Sequence, residues 1–182
     1  TFSEVKKMAF NDPSLLTEIL YFINKLTKEY LSMQVSAGAD VIMLFDSWAG
    51  CLPPHYYQKL IVPPLSSLLK ELKKLKVPII YYPGNNPELL KELDISSIDV
   101  VAVDWHSSFS HAITELKEKK KNITIQGNLD PLLLHANEET VRKNVRAILQ
   151  TAQENIPNRH IFNVGHGLLP STPIESIHWA ID

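Results

Sequence analysis

Residues 41 to 50 read VIMLFDSWAG: five apolar side chains in a row, then an aspartate, a serine and a tryptophan before Ala49 and Gly50. The apolar run is too short for a helix, and its apolarity is continuous where a half-exposed strand would alternate. That pattern suits a strand covered on both faces, as in a parallel sheet with crossover helices. Four further runs follow the same rule: VPIIYY (77–82), VVAV (100–103), ITIQ (123–126) and IFNV (161–164). The pattern is a βα unit repeated five times.

Each run empties into a polar or glycine-containing cluster. These are Asp46-Ser47-Trp48-Ala49-Gly50, Pro83-Gly84-Asn85, Asp104-Trp105-His106, Gly127-Asn128-Leu129-Asp130 and Gly165-His166-Gly167. In parallel α/β folds the carboxyl ends of the strands lie on one side, where ligand sites are built, so the clusters are expected to share a face. In the last of them, two glycines flank one imidazole. A sharp turn leaving His166 exposed is the expectation.

Between the runs the helices are well punctuated. Leu15, Leu16, Ile19, Leu20, Ile23, Leu26 and Tyr30 recur at three- and four-residue spacing, which predicts an amphipathic helix over 13–37, capped by Asp12, with Pro13 in its first turn. The same start grammar recurs at Asn86-Pro87-Glu88, Asn137-Glu138-Glu139 and Thr172-Pro173. Pro63 and Pro64 fall inside a helical segment between the first two strands and should break it in two.

The chain has 182 residues, 45% of them hydrophobic and 21% charged, with a formal net charge of −2. That suits a globular domain with a sizeable core and makes nucleic acid and anionic membrane surfaces poor partners. The basic runs KELKKLK (70–76) and KEKKKN (117–122) carry no interleaved aromatics and read as solvated helix faces. A single cysteine, Cys51, excludes an intrachain disulfide and a multi-cysteine zinc site and fits a cytoplasmic compartment. No signal peptide or membrane-spanning apolar run is present. The opening TFSEVKKMAF lacks an initiator Met and reads as part of a longer protein.

Five βα units fall short of a closed eight-stranded barrel of about 250 residues. No strand end carries a G-x-G-x-x-G or Walker sequence, which disfavours a nucleotide-binding open sheet. The expected fold class is therefore α/β, part of a (β/α)8 TIM barrel.

Four motifs then carry a resemblance: FDSWAG (45–50), DW (104–105), QGNLDP (126–131) and NVGHG (163–167), in this order across about 120 residues, resemble the uroporphyrinogen decarboxylase family. The resemblance implies that the chain is about the last five βα units of the barrel, with 1–182 the C-terminal portion of a single TIM-barrel decarboxylase domain. It implies removal of the four acetate carboxyl groups of uroporphyrinogen III to give coproporphyrinogen III, with no cofactor and no metal. A full-length homodimer is also implied. Ser47 and His166 become substrate-binding residues by the same route.

The family's paired arginines, the aspartate that stabilises the pyrrole cation and an active-site tyrosine lie upstream of anything matched here. The strand-end clusters themselves contain no Arg or Lys, and their firm charges are Asp46, Asp104 and Asp130. No catalytic residue is therefore assigned in this chain, which alone is expected to be inactive. Asp104 and Asp130 are expected to fix loops by accepting backbone N–H bonds. Tyr56, Tyr57, Tyr81 and Tyr82 are expected as wall or core, and Trp48 and Trp105 as packing under the loops. Two alternatives compete: a corrinoid- or thiol-dependent methyltransferase of the same superfamily, which one cysteine makes improbable in its zinc form, and a noncatalytic half-barrel.

Overall fold

The computed structural model describes residues 2–182. Helix α1 (Ser3–Asn11) and the longer α2 (Pro13–Ser36) lead into strand β1 (Ile42–Phe45). A helical stretch follows, made of α3 (Pro54–Tyr56), a π-helical turn (Tyr57–Ile61) and α4 (Val62–Leu72), before β2 (Ile79–Tyr82) and the single turn α5 (Leu89–Glu92). Then come β3 (Val100–Ala102), α6 (Phe109–Lys119), β4 (Thr124–Gln126), α7 (Glu138–Asn155), β5 (His160–Ile161) and α8 (Ile174–Ile181). The strands form one sheet in chain order, β1-β2-β3-β4-β5, as repeated βα units require. The fold class is α/β, and its five consecutive units correspond to part of a (β/α)8 barrel. The chain divides into two compact units, residues 1–100 and 101–182.

In residues 1–100, β1 and β2 pair in parallel with Ile42 opposite Ile79 and Phe45 opposite Tyr82. Leu69, Leu72, Ile79 and Leu89 are completely buried. Asp12 caps α2 as expected, its carboxylate accepting the Leu15 N–H at 3.1 Å. The apolar stripe of α2 is another matter. Leu16 is buried, but Ile23, Leu26 and Tyr30 are 48%, 49% and 61% exposed, so the helix is present while most of its predicted inner face is uncovered.

Pro63 and Pro64 do not break the helix. The chain stays helical from residue 54 to 72, and the prolines fall in the first turn of α4, where no N–H donor is required. The preceding π turn makes this possible, with the Val62 N–H reaching back to the Tyr57 carbonyl.

In residues 101–182, β4 and β5 pair in parallel, Ile125 with His160 and Gln126 with Ile161. The last strand is shorter and earlier than the apolar run 161–164 predicts. Gly127 takes φ +126°, which ends β4 after Gln126, and beyond it the Asn163 side chain accepts the Val164 N–H at 2.8 Å. Pairing resumes at one point, Leu129 with Val164. Under these loops Leu129, Leu134, Val141 and Val145 form a core against which Phe162 and Trp179 pack. Asn137 caps α7 by accepting the Thr140 N–H at 2.9 Å. Thr172 does not cap α8; its hydroxyl is buried without a hydrogen-bond partner, and Pro173 occupies the cap position.

The basic runs lie at helix ends on the surface, where Lys73 pairs with Asp99 at 2.7 Å and Lys117 donates to the Asn155 carbonyl at 3.0 Å. No helix among the described residues is long and apolar enough to cross a membrane.

Candidate functional site

Ser47 belongs to residues 1–100 and stands half-buried in the turn directly after β1. Its neighbour Asp46 anchors that turn twice. The Asp46 N–H donates to the Tyr82 carbonyl at 2.9 Å, and its own carbonyl accepts the Ala49 N–H at 3.1 Å. The Asp46 side chain accepts a hydrogen bond from the Tyr81 hydroxyl at 3.2 Å, and the Tyr57 hydroxyl lies 2.9 Å from that of Tyr81. Burial raises the Asp46 carboxyl above the ordinary carboxylate range, an effect the Tyr81 hydrogen bond partly offsets. Burial likewise pushes both phenols upward. Asp46 and Tyr81 line a cavity of about 210 Å³ whose other walls include Leu20 and Asn24 of α2 and Leu65 of α4.

Tyr57, Tyr81 and Tyr82 are buried, as expected of wall or core, and Tyr56 is half-buried against Phe10. Trp48 departs from its expected role. It is 60% exposed, with its ring 5.1 Å from that of Phe2.

In residues 101–182 the strand ends of β3 and β4 and the turn at 165–167 assemble around Trp105. Asp104, at the end of β3, is 4% exposed and holds the following loop: its Oδ1 accepts the His106 N–H at 3.0 Å. Its Oδ2 lies 2.8 Å from His106 Nδ1. Asn128 clamps the same loop from β4, donating to the carbonyls of Asp104 (3.1 Å) and Ser107 (2.9 Å). Asp130 accepts the Leu132 N–H at 2.9 Å. Both aspartates thus fix loops, as the sequence suggested.

His166 is exposed on its turn, as expected. The glycines beside it work differently from the expectation. Neither adopts a positive φ; instead Gly165 is pressed against the loop that follows β3, where an added Cβ would stand 2.8 Å from the Trp105 nitrogen and 2.9 Å from the Asp104 Cα. That close approach brings the His166 ring edge-on to Trp105, with centroids 6.2 Å apart and planes at 87°. His106 also stacks on Trp105, at 4.6 Å and 30°.

His160 points its Nε2 at the Gly127 carbonyl, 2.6 Å away, with its ring 4.8 Å from that of Phe109 and 6.3 Å from that of Phe162. Burial lowers its pKa from 6.5. Sequence reasoning singled out neither His106 nor the Asp46–Tyr81–Tyr57 chain. The Asp-x-His spacing at 104–106 was the available signal, because an aspartate bonds readily to the N–H two residues on.

Parallel strands with crossover helices, and polar side chains gathered at strand carboxyl ends, define a βα-barrel type of protein. The chain matches the family Uroporphyrinogen decarboxylase (URO-D) over residues 1–182, and it belongs to that family. Relatives named uroporphyrinogen decarboxylase include one from Koribacter versatilis, 38% identical over 175 residues (96% of this chain, 48% of the relative). Another, from Desulfotalea psychrophila, is 35% identical over 181 residues (100% and 52%). One from Coxiella burnetii (strain Dugway 5J108-111) is 34% identical over 181 residues (97% and 49%). The chain spans about half the length of these curated relatives. Among solved structures, a methyltransferase from Methanosarcina mazei superposes with TM-score 0.84 at 18% identity, covering 100% of this chain and 52% of its own, which shows the shared fold.

Proposed function

We propose that this chain is the C-terminal portion of a single-domain barrel enzyme, a uroporphyrinogen decarboxylase, in which Ser47 and His166 contact the carboxylate arms of the substrate. The whole enzyme removes the four acetate carboxyl groups of uroporphyrinogen III to give coproporphyrinogen III, and it acts as a soluble cytoplasmic homodimer. The observation that carries this is the family match across all 182 residues, joined to relatives of that name at 34 to 38% identity.

The chemistry uses the substrate as its own electron sink. Protonation of a pyrrole carbon gives an iminium-like ring; the acetate C–C bond breaks, its electron pair moves into the ring and CO₂ leaves. A proton delivered to the exocyclic carbon then forms the methyl group, and loss of the proton first added to the ring carbon restores the neutral pyrrole. Neither a metal nor an organic cofactor is required for that sequence. The protein's task is to hold carboxylates and stabilise the cation, and preorganised electrostatics of this kind is usually the largest catalytic contribution. Ser47 offers a neutral O–H donor, and His166 a charge-assisted N–H donor when protonated.

The Lys- and Arg-free strand-end clusters cannot neutralise eight carboxylates, so the 182-residue chain alone should not turn over. The test joins it behind the N-terminal half of the Koribacter versatilis relative and follows coproporphyrinogen formation by chromatography of the oxidised porphyrins. Conversion by the chimera, none by the chain alone, is the expected result. A folded chimera without activity, or turnover by the isolated chain, contradicts the proposal.

A further inference from the structure

The cluster around Trp105 contains a second imidazole that the substrate contacts above do not use. Asp104 grips His106 at both its backbone N–H (3.0 Å) and its ring Nδ1 (2.8 Å). A carboxylate accepts only, so Nδ1 carries the hydrogen and Nε2 is the ring nitrogen left for an external partner. Asp104 is itself buried, and the loop is clamped by Asn128, so the imidazole's orientation is set by groups that do not move with solvent. The side chain remains 43% exposed.

His106 and His166 both contact the Trp105 indole, one stacked at 4.6 Å and one edge-on at 6.2 Å. Within the three strand-end clusters of residues 101–182, they are the only side chains able to carry positive charge. When protonated, each presents an N–H that forms a short, charge-assisted bond to a carboxylate.

We infer that His106, oriented by Asp104, is a second carboxylate-binding residue, acting beside Trp105 together with His166 on a ligand bearing several separated carboxylates. The inference rests on the proposal that His166 faces the substrate. Asp104 is a positioning residue in this arrangement, and Trp105 is the wall both imidazoles share.

The probe is uroporphyrin I, a stable octacarboxylate, titrated into the chimera with the Koribacter versatilis N-terminal half, with Trp fluorescence as one readout and side-chain nitrogen NMR of the histidines as the other. His106→Gln is expected to weaken binding about tenfold, as is His166→Gln, with folding checked by circular dichroism. In the unsubstituted chimera the His106 Nε2 resonance is expected to shift on saturation while Nδ1, held by Asp104, stays in place. Wild-type affinity in His106→Gln together with a loss in His166→Gln overturns this inference and leaves the proposed substrate contact at His166 standing. Unshifted His106 resonances at saturation overturn it too, independently of how any variant folds. Saturable binding that neither substitution weakens overturns both, as does the absence of saturable binding by the unsubstituted chimera.

Discussion

The Tyr57 and Tyr81 hydroxyls lie 2.9 Å apart in the buried interior, and Tyr81 passes its own hydrogen to Asp46. Tyr57 must then donate to Tyr81, so the chain has a direction. Tyr57→Phe removes one neutral bond and is expected to destabilise by about 1 kcal/mol, whereas Tyr81→Phe strands both the Tyr57 hydroxyl and the Asp46 carboxyl and should cost about 2–3 kcal/mol. Urea unfolding of the two variants tests the ranking.

Asp46 should make the protein less stable as the solution becomes less acidic. Its folded pKa is raised above 3.8, so the folded state holds the proton more tightly than the unfolded one, and stability falls as pH rises through that window. Asp46→Asn keeps an oxygen for Tyr81 and removes the titration. The variant is expected to match or exceed the parent's melting temperature at pH 7 and to lose the downward slope between pH 4 and 7.

His160 has the opposite sign. Its pKa is lowered from 6.5 by burial, so the unfolded state binds the proton more readily, and the neutral ring's contribution is complete above pH 6.5 and lost as pH falls below it. His160→Gln retains an N–H donor for the Gly127 carbonyl and should flatten the decline in thermal stability between pH 7 and 5.

Two glycines two residues apart should respond very differently to alanine. An added Cβ at Gly165 meets backbone atoms of Asp104 and Trp105 at 2.8 to 3.0 Å, while at Gly167 nothing lies within 4 Å. Gly165→Ala is expected to cost about 1–3 kcal/mol, as overpacking does, and to disturb the Trp105 fluorescence; Gly167→Ala should be nearly silent.

Strands β1 and β5 are the sheet's edges, and Phe45 and Ile161 on them are 67% and 41% exposed. Unpaired edges template further pairing. Light scattering is expected to show association that grows with concentration, and Phe45→Lys should reduce it.

The strands were legible because a short, continuously apolar run between polar clusters suits little besides a strand covered on both faces, and the order of the sheet followed from the βα repeat. The caps at Asp12 and Asn137 were legible because a short polar side chain before a helical pattern has one local task. The length of β5 was not, since Gly127 and the Asn163 side chain ended the pairing through geometry that apolarity does not encode. Nor was the role of Gly165: its neighbours in space are Asp104 and Trp105, some sixty residues away in the chain. His106 was visible as a residue and silent as a site, because its meaning depends on the aspartate two positions earlier being buried.

The uncovered stripe of α2 bears on how the chain loosens as well as on what it touches. Phe22, Tyr30 and Met33 are 63%, 61% and 67% exposed, so unfolding α2 uncovers little new apolar surface. The heat-capacity change and the denaturant slope of the isolated chain should accordingly be small for 182 residues, since both track newly exposed area. In amide exchange, α2 opens on its own at low free-energy cost while α4 around Leu69 and β2 around Ile79 stay protected, and a partner that covers α2 would be detected first as a slowing of exchange there.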